Sequence, residues 1–448
     1  MSEVSLMNDN KTSKNSIVAK FAVPISFLIL FFLAANFTDC DLVTFWKRRS
    51  HLTDLVVDMI PPDFSYIQKI LLPLFYTIQM SGTGTVLGIF FALVLSPFGA
   101  ANLGFPAVIR RILRIVIQIL RSFPALILAL TATFLFGLGT FAGTFAITLY
   151  TFAIMTKLTY EDASAADVKA YQALRAMGVS KYVAYIHGIL PEIIPGFLTN
   201  ALYLLETNVR HSSILGYVGA GGIGLLLNEK ISWLEYDKVG TILLMLFLTV
   251  CVIEYFSRYL AALIRKERTI KKEQARLLLL FLAALFLICT FTLSLPDFSR
   301  TSPQTLRNMF AGFLQPDWSF FFSAEKDGLG YLLLETVCIA FIGTVIGAIV
   351  SAPLAFLNTK RFVPAPVSFL FNLVIMVIRS VPFLVYGLIF IRVSGPGAFT
   401  GVLTLAVCSI GLLTKRFTEA LDALDPRPYH ALLAMGVRPL PAICHSVL

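Results

Sequence analysis

Ten stretches of this 448-residue chain are apolar for long enough to cross a lipid bilayer, and that limits its fold more than any other feature. A spanning helix needs roughly 20 apolar residues. The stretches are Ile17–Phe37, Ile70–Ser96, Ile112–Phe136, Phe141–Thr156, Ile186–Glu206, Val239–Ser257, Leu277–Leu295, Gly330–Phe356, Val367–Ile391 and Phe399–Thr414. The expected fold is therefore all-α, a polytopic membrane protein of about ten transmembrane helices. Hydrophobic residues make up 57% and charged residues 14%, against about 45–50% and 25% in soluble domains. That balance excludes a water-soluble globule, and it excludes disorder, which needs few apolar residues. The first stretch resembles a signal peptide, but Ala34 and Ala35 are adjacent and leave no A-x-A cleavage site, so a retained helix is expected.

The net charge is +10. The basic residues cluster in short loops between apolar runs, which fits cytoplasmic anchoring rather than a nucleic-acid surface. Arg258–Arg276 contains Arg258, Arg265, Lys266, Arg268, Lys271, Lys272 and Arg276, so it is read as cytoplasmic. Alternation then places the N-terminus with Lys11, Lys14 and Lys20 inside, together with Arg110, Arg111, Lys157–Tyr182, Lys360, Arg361 and Lys415–Leu440. Lys47, Arg48 and Arg49 fall outside as one exception. The six cysteines lie mostly within apolar runs and form no C-x-x-C pair. They read as packing residues rather than disulfides or metal ligands.

The chain also repeats itself. Arg121-Ser122-Phe123-Pro124 recurs as Arg379-Ser380-Val381-Pro382, and 379 − 121 = 258. At the same offset Gly139–Gly143 matches Gly397–Gly401, Lys157 and Glu161 match Lys415 and Glu419, Ala176–Val179 matches Ala434–Val437, and His187 matches His445. A fixed, ungapped offset points to tandem duplication of one membrane module. Six spans precede the basic linker, so the two copies share one orientation and are parallel repeats. The expected organisation is residues 1–69 as tail, first helix and outer loop, 70–264 as the first module, 265–328 as linker, helix and outer loop, and 329–448 as the second module. Leu448 aligns with Leu190, so the second copy is expected to be truncated, as a fragment, a frameshifted product or a natural form.

Each copy carries a polar helical stretch on the expected cytoplasmic side. In the first, Glu161 suits a helix N-terminus, Gly178 a helix C-cap, and Pro191 the first turn of the next span. Recurrence of the stretch favours a docking role over an ordinary surface loop. Its wording resembles the coupling motif of ABC-importer permeases: Glu-Ala-Ala, then Gly, with Leu-Pro ending thirteen residues later, here Gly178 to Pro191. Asp162 stands where that family usually has Ala, and the second copy reads Thr418-Glu419-Ala420-Leu421. Asn208–Gly224 is similar to the signature of phosphonate ABC-transporter permeases, as are the Gly139–Gly143 and Gly397–Gly401 segments. The resemblance covers roughly residues 60–264 and 315–448. It implies tandem type-1 ABC importer permease modules of six and four spans in a bacterial inner membrane.

Several expectations follow from that resemblance. Two separate ATPase subunits would hold the loops through Glu161, Asp162, Ala163, Ala176 and Gly178, and through Glu419, Ala420, Ala434 and Gly436. ATP would be bound by those partners, with no cofactor on this chain. An extracytoplasmic phosphonate-binding protein would deliver the substrate, and a second permease chain is a further candidate partner.

For a substrate path or gate the candidates are Arg121, Asn208, Arg210, Ser212, Ser213, Gly219, Gly221, Gly222, Gly224 and Arg379. Guanidinium and hydroxyl groups suit an anion, and an intramembrane arginine is costly unless it has a task or reaches the interface. The alternative for Arg210 is a solvated outer loop. Pro124 and Pro382 predict helix breaks beside the two equivalent arginines. Glu206 and Glu254 read as interfacial charges or ion-pair members. Gly219–Gly224 fits G-x-G-x-x-G, but it lies between spans with no βαβ context, so a close-packed re-entrant or gate segment is expected instead.

No Walker A pattern, H-E-x-x-H or G-x-S-x-G occurs, so no ATP hydrolysis, metal site or catalytic nucleophile is expected on this chain. The rival readings are an ion-gradient-driven secondary transporter, for which Glu335 is the best mid-span acid, and an ABC permease for another small solute.

Overall fold

Proline decides where several of the apolar runs break. The computed structural model describes residues 24–40, 42–264, 284, 286–294, 303–315, 317–323, 325, 326, 328–438, 441, 442 and 445. The expectations about Ile17–Val23, about most of Leu277–Leu295, and about the basic linker beyond Ile264 lie outside these residues. The principal helices are α1 (Pro24–Phe37), α2 (Ile67–Gly99), α3 (Ala107–Ser122), α4 (Ala125–Phe136), α5 (Thr140–Ala165), α6 (Lys169–Ala176), α7 (Lys181–Gly188), α8 (Leu190–Leu215), α9 (Ile223–Ser232) and α10 (Tyr236–Ile264). They continue with α11 (Leu329–Asn358), α12 (Ala365–Ser380), α13 (Phe383–Ser394), α14 (Ala398–Ala423) and α15 (Arg427–Ala434). No strand occurs among the described residues.

Five helices (α2, α5, α10, α11 and α14) are long and apolar enough to cross a membrane, and three bent pairs raise the number to at most eight. Phe123 and Val381 precede prolines and are held extended at φ −84°, ψ 125° and φ −74°, ψ 125°, because the proline ring disfavours helical geometry in the residue before it. The pairs α3–α4 and α12–α13 therefore bend by 94° and 87°. The expected single spans Ile112–Phe136 and Val367–Ile391 are thus broken, at the proline positions the sequence marked. Ile186–Glu206 is not one span either, since α7 and α8 meet at 69°. Pro191 sits in the first turn of α8, where its missing N–H costs nothing.

The chain divides into two units. One contains residues 57–315. There α2 packs along α5, and Gly84 and Gly88 let the backbones approach. A methyl on Gly84 would sit 2.8 Å from Ile147 Cβ, and one on Gly88 would sit 2.7 Å from Thr151 Cβ. Small residues four apart are the usual device for close helix contact in lipid. Residues 286–294 belong to this unit: Gln79 Nε2 donates to the Cys289 carbonyl at 3.0 Å and to Thr292 Oγ1 at 2.8 Å.

The other unit contains the described residues up to Val56 and those after Pro316. In it Gly343 and Gly347 of α11 approach Leu405 and Ser409 of α14 in the same way. Helix α1 packs here, with Ala34 in a buried cluster with Ile342, Phe399 and Val402.

The internal geometry of the two units repeats. Adding 258 to the limits of α3, α4, α5 and α6 gives those of α12, α13, α14 and α15. In the preceding helix the step is 259, since Gly84 corresponds to Gly343 and Gly88 to Gly347. Glu335 therefore corresponds to Tyr76, and the extra residue is absorbed in the turn between this helix and the next.

Candidate functional site: a twice-built polar hairpin and an intramembrane polar seam

Helix α6 is short, and local chemistry fixes both its ends. At its start Asp167 Oδ1 accepts from the Lys169 backbone N–H at 3.0 Å, and this hydrogen bond holds the Asp167 carboxyl below the usual aspartate range. At its end Gly178 takes φ +85°. The Val179 N–H donates to the Leu174 carbonyl at 3.2 Å and the Gly178 N–H to the Arg175 carbonyl at 3.1 Å. This is the paired C-terminal closure that demands a left-handed residue, for which glycine carries no Cβ penalty.

Helix α15 is built the same way. Asp425 Oδ1 accepts from the Arg427 N–H at 3.0 Å. Gly436 has φ +80°, and Val437 and Gly436 donate to the carbonyls of Leu432 and Leu433 at 3.1 and 3.0 Å. The C-cap expected at Gly178 is present in both copies. Ala176, Met177 and Gly178 are exposed, as are Ala434, Met435 and Gly436, and each methionine is 70% exposed. An open tip carrying a soft, adaptable side chain is suited to a partner's surface.

The first hairpin is rigidly seated. Tyr171, Ala184, Tyr185 and Ile189 form a buried cluster with Ala100, Leu103 and Ala163. Tyr171 Oη donates to the Leu103 carbonyl at 2.6 Å, and Asn102 Nδ2 to the Ala163 carbonyl at 2.9 Å. Displacement of the tip therefore moves the α2–α3 turn and the base of α5 together. In the second copy Tyr429, at 171 + 258, is buried against Phe362 at 5.1 Å.

One expectation needs correction. Glu161 does not lie at the start of the polar helix. Helix α5 runs on to Ala165 without a break, so Glu161, Asp162 and Ala163 occupy its last turns. Glu161 pairs with Lys157 at 3.4 Å, and Ala163 is fully buried. Glu419 is likewise on α14, with Arg416 at 3.1 Å, and Ala420 is exposed. Sequence reasoning missed Asp167, Asp425, Tyr171 and Tyr429. An acid two residues before each helix and a tyrosine in each first turn, all at offset 258, was the available signal.

The candidate path residues on α8 are brought into a polar seam between α2, α5 and α8. Asn208 Nδ2 donates to Thr85 Oγ1 at 2.7 Å and Thr151 Oγ1 at 2.8 Å. The Ser81 and Ser212 hydroxyls are 2.8 Å apart, and Ser213 Oγ donates to the Arg210 carbonyl at 2.6 Å. Arg210 pairs with Glu206 and lies 4.0 Å from Glu254, which also binds Arg258. The ion-pair reading of Glu206 and Glu254 matches the structure, whereas Arg210 is largely buried rather than solvated in an outer loop.

The glycine-rich segment rests against this seam. Gly219, Gly221 and Gly222 all have positive φ, and the Ile223 N–H donates to Thr77 Oγ1 at 2.8 Å. Gly224 lies so close to α8 that a Cβ would sit 2.0 Å from the Ser213 carbonyl oxygen. Positive φ therefore explains Gly219, Gly221 and Gly222, and close backbone packing explains Gly224. Arg121 and Arg379 end α3 and α12 at the two proline bends. Arg121 is exposed, and the Arg379 stem packs on Gly411, where a Cβ would be 2.8 Å away. Glu335 shares a polar cavity of about 290 Å³ with Asp39 and the Ser394–Thr400 turn. No group of three metal-ligating side chains occurs among the described residues.

Beyond the glycine segment, Lys230 is buried between Glu229 and Glu235, 2.9 Å from each, and stacks over Trp233 at 4.3 Å. Burial pulls the Lys230 pKa down, but the hydrogen bonds it donates to Glu235 and Glu229 outweigh this and the net shift is upward. Hydrogen bonds from Lys238 and Lys230 hold Glu235 below the usual carboxylate range.

Residues 84–269 match the model of the binding-protein-dependent transport system inner membrane component family. The phosphite transport system permease protein PtxC of Stutzerimonas stutzeri is 31% identical over 217 residues, spanning 48% of this chain and 79% of that protein. The phosphate-import permease protein PhnE of Mycolicibacterium smegmatis is 25% identical over 394 residues, spanning 86% of this chain and 73% of that protein. Among solved structures, a chain of the inward-facing MetNI methionine ABC transporter covers 45% of this chain and 99% of its own length, at 20% identity and a TM-score of 0.41. With 31% identity across 79% of a curated permease, this chain belongs to the binding-protein-dependent inner membrane components and is a membrane permease of the ABC-importer type.

Proposed function

We propose that the chain forms the translocation path for a small phosphorus oxyanion, phosphonate or phosphite, and that ATP bound by two partner subunits drives it through the hairpins around Gly178 and Gly436. The observation that carries this reading is the repetition in both halves of a capped helix with an open tip, rigidly seated in the first half. A tip anchored to the base of three helices transmits a partner's movement, provided that docking favours one arrangement of those helices. The substrate class follows the named relatives, which are permeases for phosphite and phosphate, and an extracytoplasmic binding protein would deliver it.

Arg121 and Arg379 are the path residues best suited to an anion, because each stands at a proline bend. Asn208, Arg210, Ser212 and Ser213 hold the seam that supports the path, and Gly219–Gly224 forms its gate. The modules are residues 70–264 and 329–448, with the first helix and the second linker outside them and the N-terminus in the cytoplasm.

The test is uptake by vesicles containing this chain, its ATPase and its binding protein. ATP-dependent accumulation of methylphosphonate or phosphite, unaffected by collapse of the ion gradient, is the expected result. Accumulation that follows the gradient and ignores ATP would overturn the reading.

A further inference from the structure

An apolar cavity of about 530 Å³ opens between α2, α8, α10 and residues 286–289, lined by Gly82, Ala201, Leu205, Val252 and Phe256, with Ser257 also in its wall. Its size is that of pockets that take whole small ligands, in an interior where packing normally leaves few voids larger than a water molecule. Ser257 is 6% exposed, and its Oγ has no hydrogen-bond partner. A buried hydroxyl without a partner is costly, so this one points to a ligand with an acceptor at that depth.

The adjacent residue on α10 is Arg258, whose side chain is 56% exposed while it holds Glu254. A guanidinium carries five N–H donors, so pairing with one carboxylate leaves others for an anion. Six further basic residues follow in sequence, between Arg265 and Arg276, a pattern that draws anionic headgroups where a helix leaves the bilayer.

We propose that this cavity is a binding site for one anionic phospholipid. An acyl chain fills the groove between Gly82, Ala201 and Val252. An ester carbonyl accepts from Ser257 Oγ, and the phosphate lies against Arg258. The occupant is a lipid rather than a peptide because the groove is almost wholly apolar, its orphan donor is Ser257, and the exposed cation Arg258 follows that residue in sequence on α10. The cavity shares Thr85 with the polar seam, but the proposal does not depend on the transported solute.

The test uses the full chain purified with its ATPase subunits and equilibrated with equal amounts of phosphatidylglycerol and phosphatidylcholine in mixed micelles. Retained lipid is then counted by native mass spectrometry. The unaltered protein is expected to keep one phosphatidylglycerol with a preference of about fivefold, the bias that one basic side chain near the surface exerts on an anionic headgroup. Ala201→Phe, which fills the groove, should lose that lipid, and Arg258→Gln should keep a lipid without the preference. Equal retention of both lipids by the unaltered protein would overturn the proposal whether or not the variants fold. Undiminished lipid on a folded Ala201→Phe protein would overturn it as well.

Discussion

Asn208 shows how a single polar side chain orders an apolar bundle. Its amide joins α2 and α5 through Thr85 and Thr151, partners 123 and 57 residues away. Hydrogen bonds between helices in lipid average about 0.6 kcal/mol, so Asn208→Leu should cost about 1 kcal/mol, read as a lowered unfolding midpoint in detergent. The glycines of α2 act through shape instead. Gly84→Leu would drive atoms into Ile147 and the Thr144 carbonyl, and overpacking of this kind costs about 1–3 kcal/mol. Gly82→Ala faces open space and should leave the midpoint unchanged, and equal losses at the two glycines would contradict the packing account. The sequence marked Asn208 as a polar residue near a span, and it marked the glycines of the loop. It did not reveal which distant hydroxyls Asn208 would meet, because that pairing depends on the α2–α5 crossing and on no local pattern.

At the level of elements, the hairpin was legible where its ends are local and illegible where a helix continues. Gly178 announced a cap because a helix must stop in a left-handed residue there, and the structure has that closure twice. Glu161 was misplaced because α5 leaves its apolar stretch with no breaker before Ala166, so helical periodicity simply carries on through polar residues. Gly178→Ala forces a Cβ into φ +85° and should cost about 1–2 kcal/mol. Transport should fall while assembly of the membrane chain persists, as measured by uptake against size-exclusion profile.

The Lys230–Glu235–Lys238 cluster makes a separate prediction about pH. Glu235 is depressed from its ordinary 4.5, so its contribution is complete above that value and disappears as pH falls through the lower folded pKa. Lys230 is raised from 10.5, so its contribution is complete below 10.5 and disappears as pH rises through the higher folded pKa. The difference in unfolding midpoint between the unaltered chain and Glu235→Gln should therefore be constant in the neutral range and shrink under acid. A difference that grows in acid would contradict the pairing.

Across the whole chain, an internal repeat is visible in helix limits, bend angles and caps, and it was readable because the offset of 258 is ungapped from Arg121 onward. The one-residue change in the preceding helix was not readable, since apolar runs align equally well at 258 and 259. Nor was the exchange of helices. Helix α1 precedes the first repeat but packs with α11 and α14, while residues 286–294 precede the second repeat and bind Gln79 of α2. Apolar runs carry no information about which neighbour they choose, because lipid competes equally for all of them. Co-expression of residues 1–264 with 265–448 should yield a co-purifying pair, with each half degraded when produced alone. Stable, separately purified halves would contradict the exchange.

The account rests on the two open hairpin tips being where ATP-derived work enters the membrane chain. Met177→Cys and Met435→Cys, introduced one at a time into the assembled transporter and treated with a short bifunctional maleimide, report this directly. Each should cross-link to an ATPase subunit and should resist an impermeant thiol reagent added outside intact cells. Labelling of either cysteine from outside, with no ATPase adduct, would contradict the account.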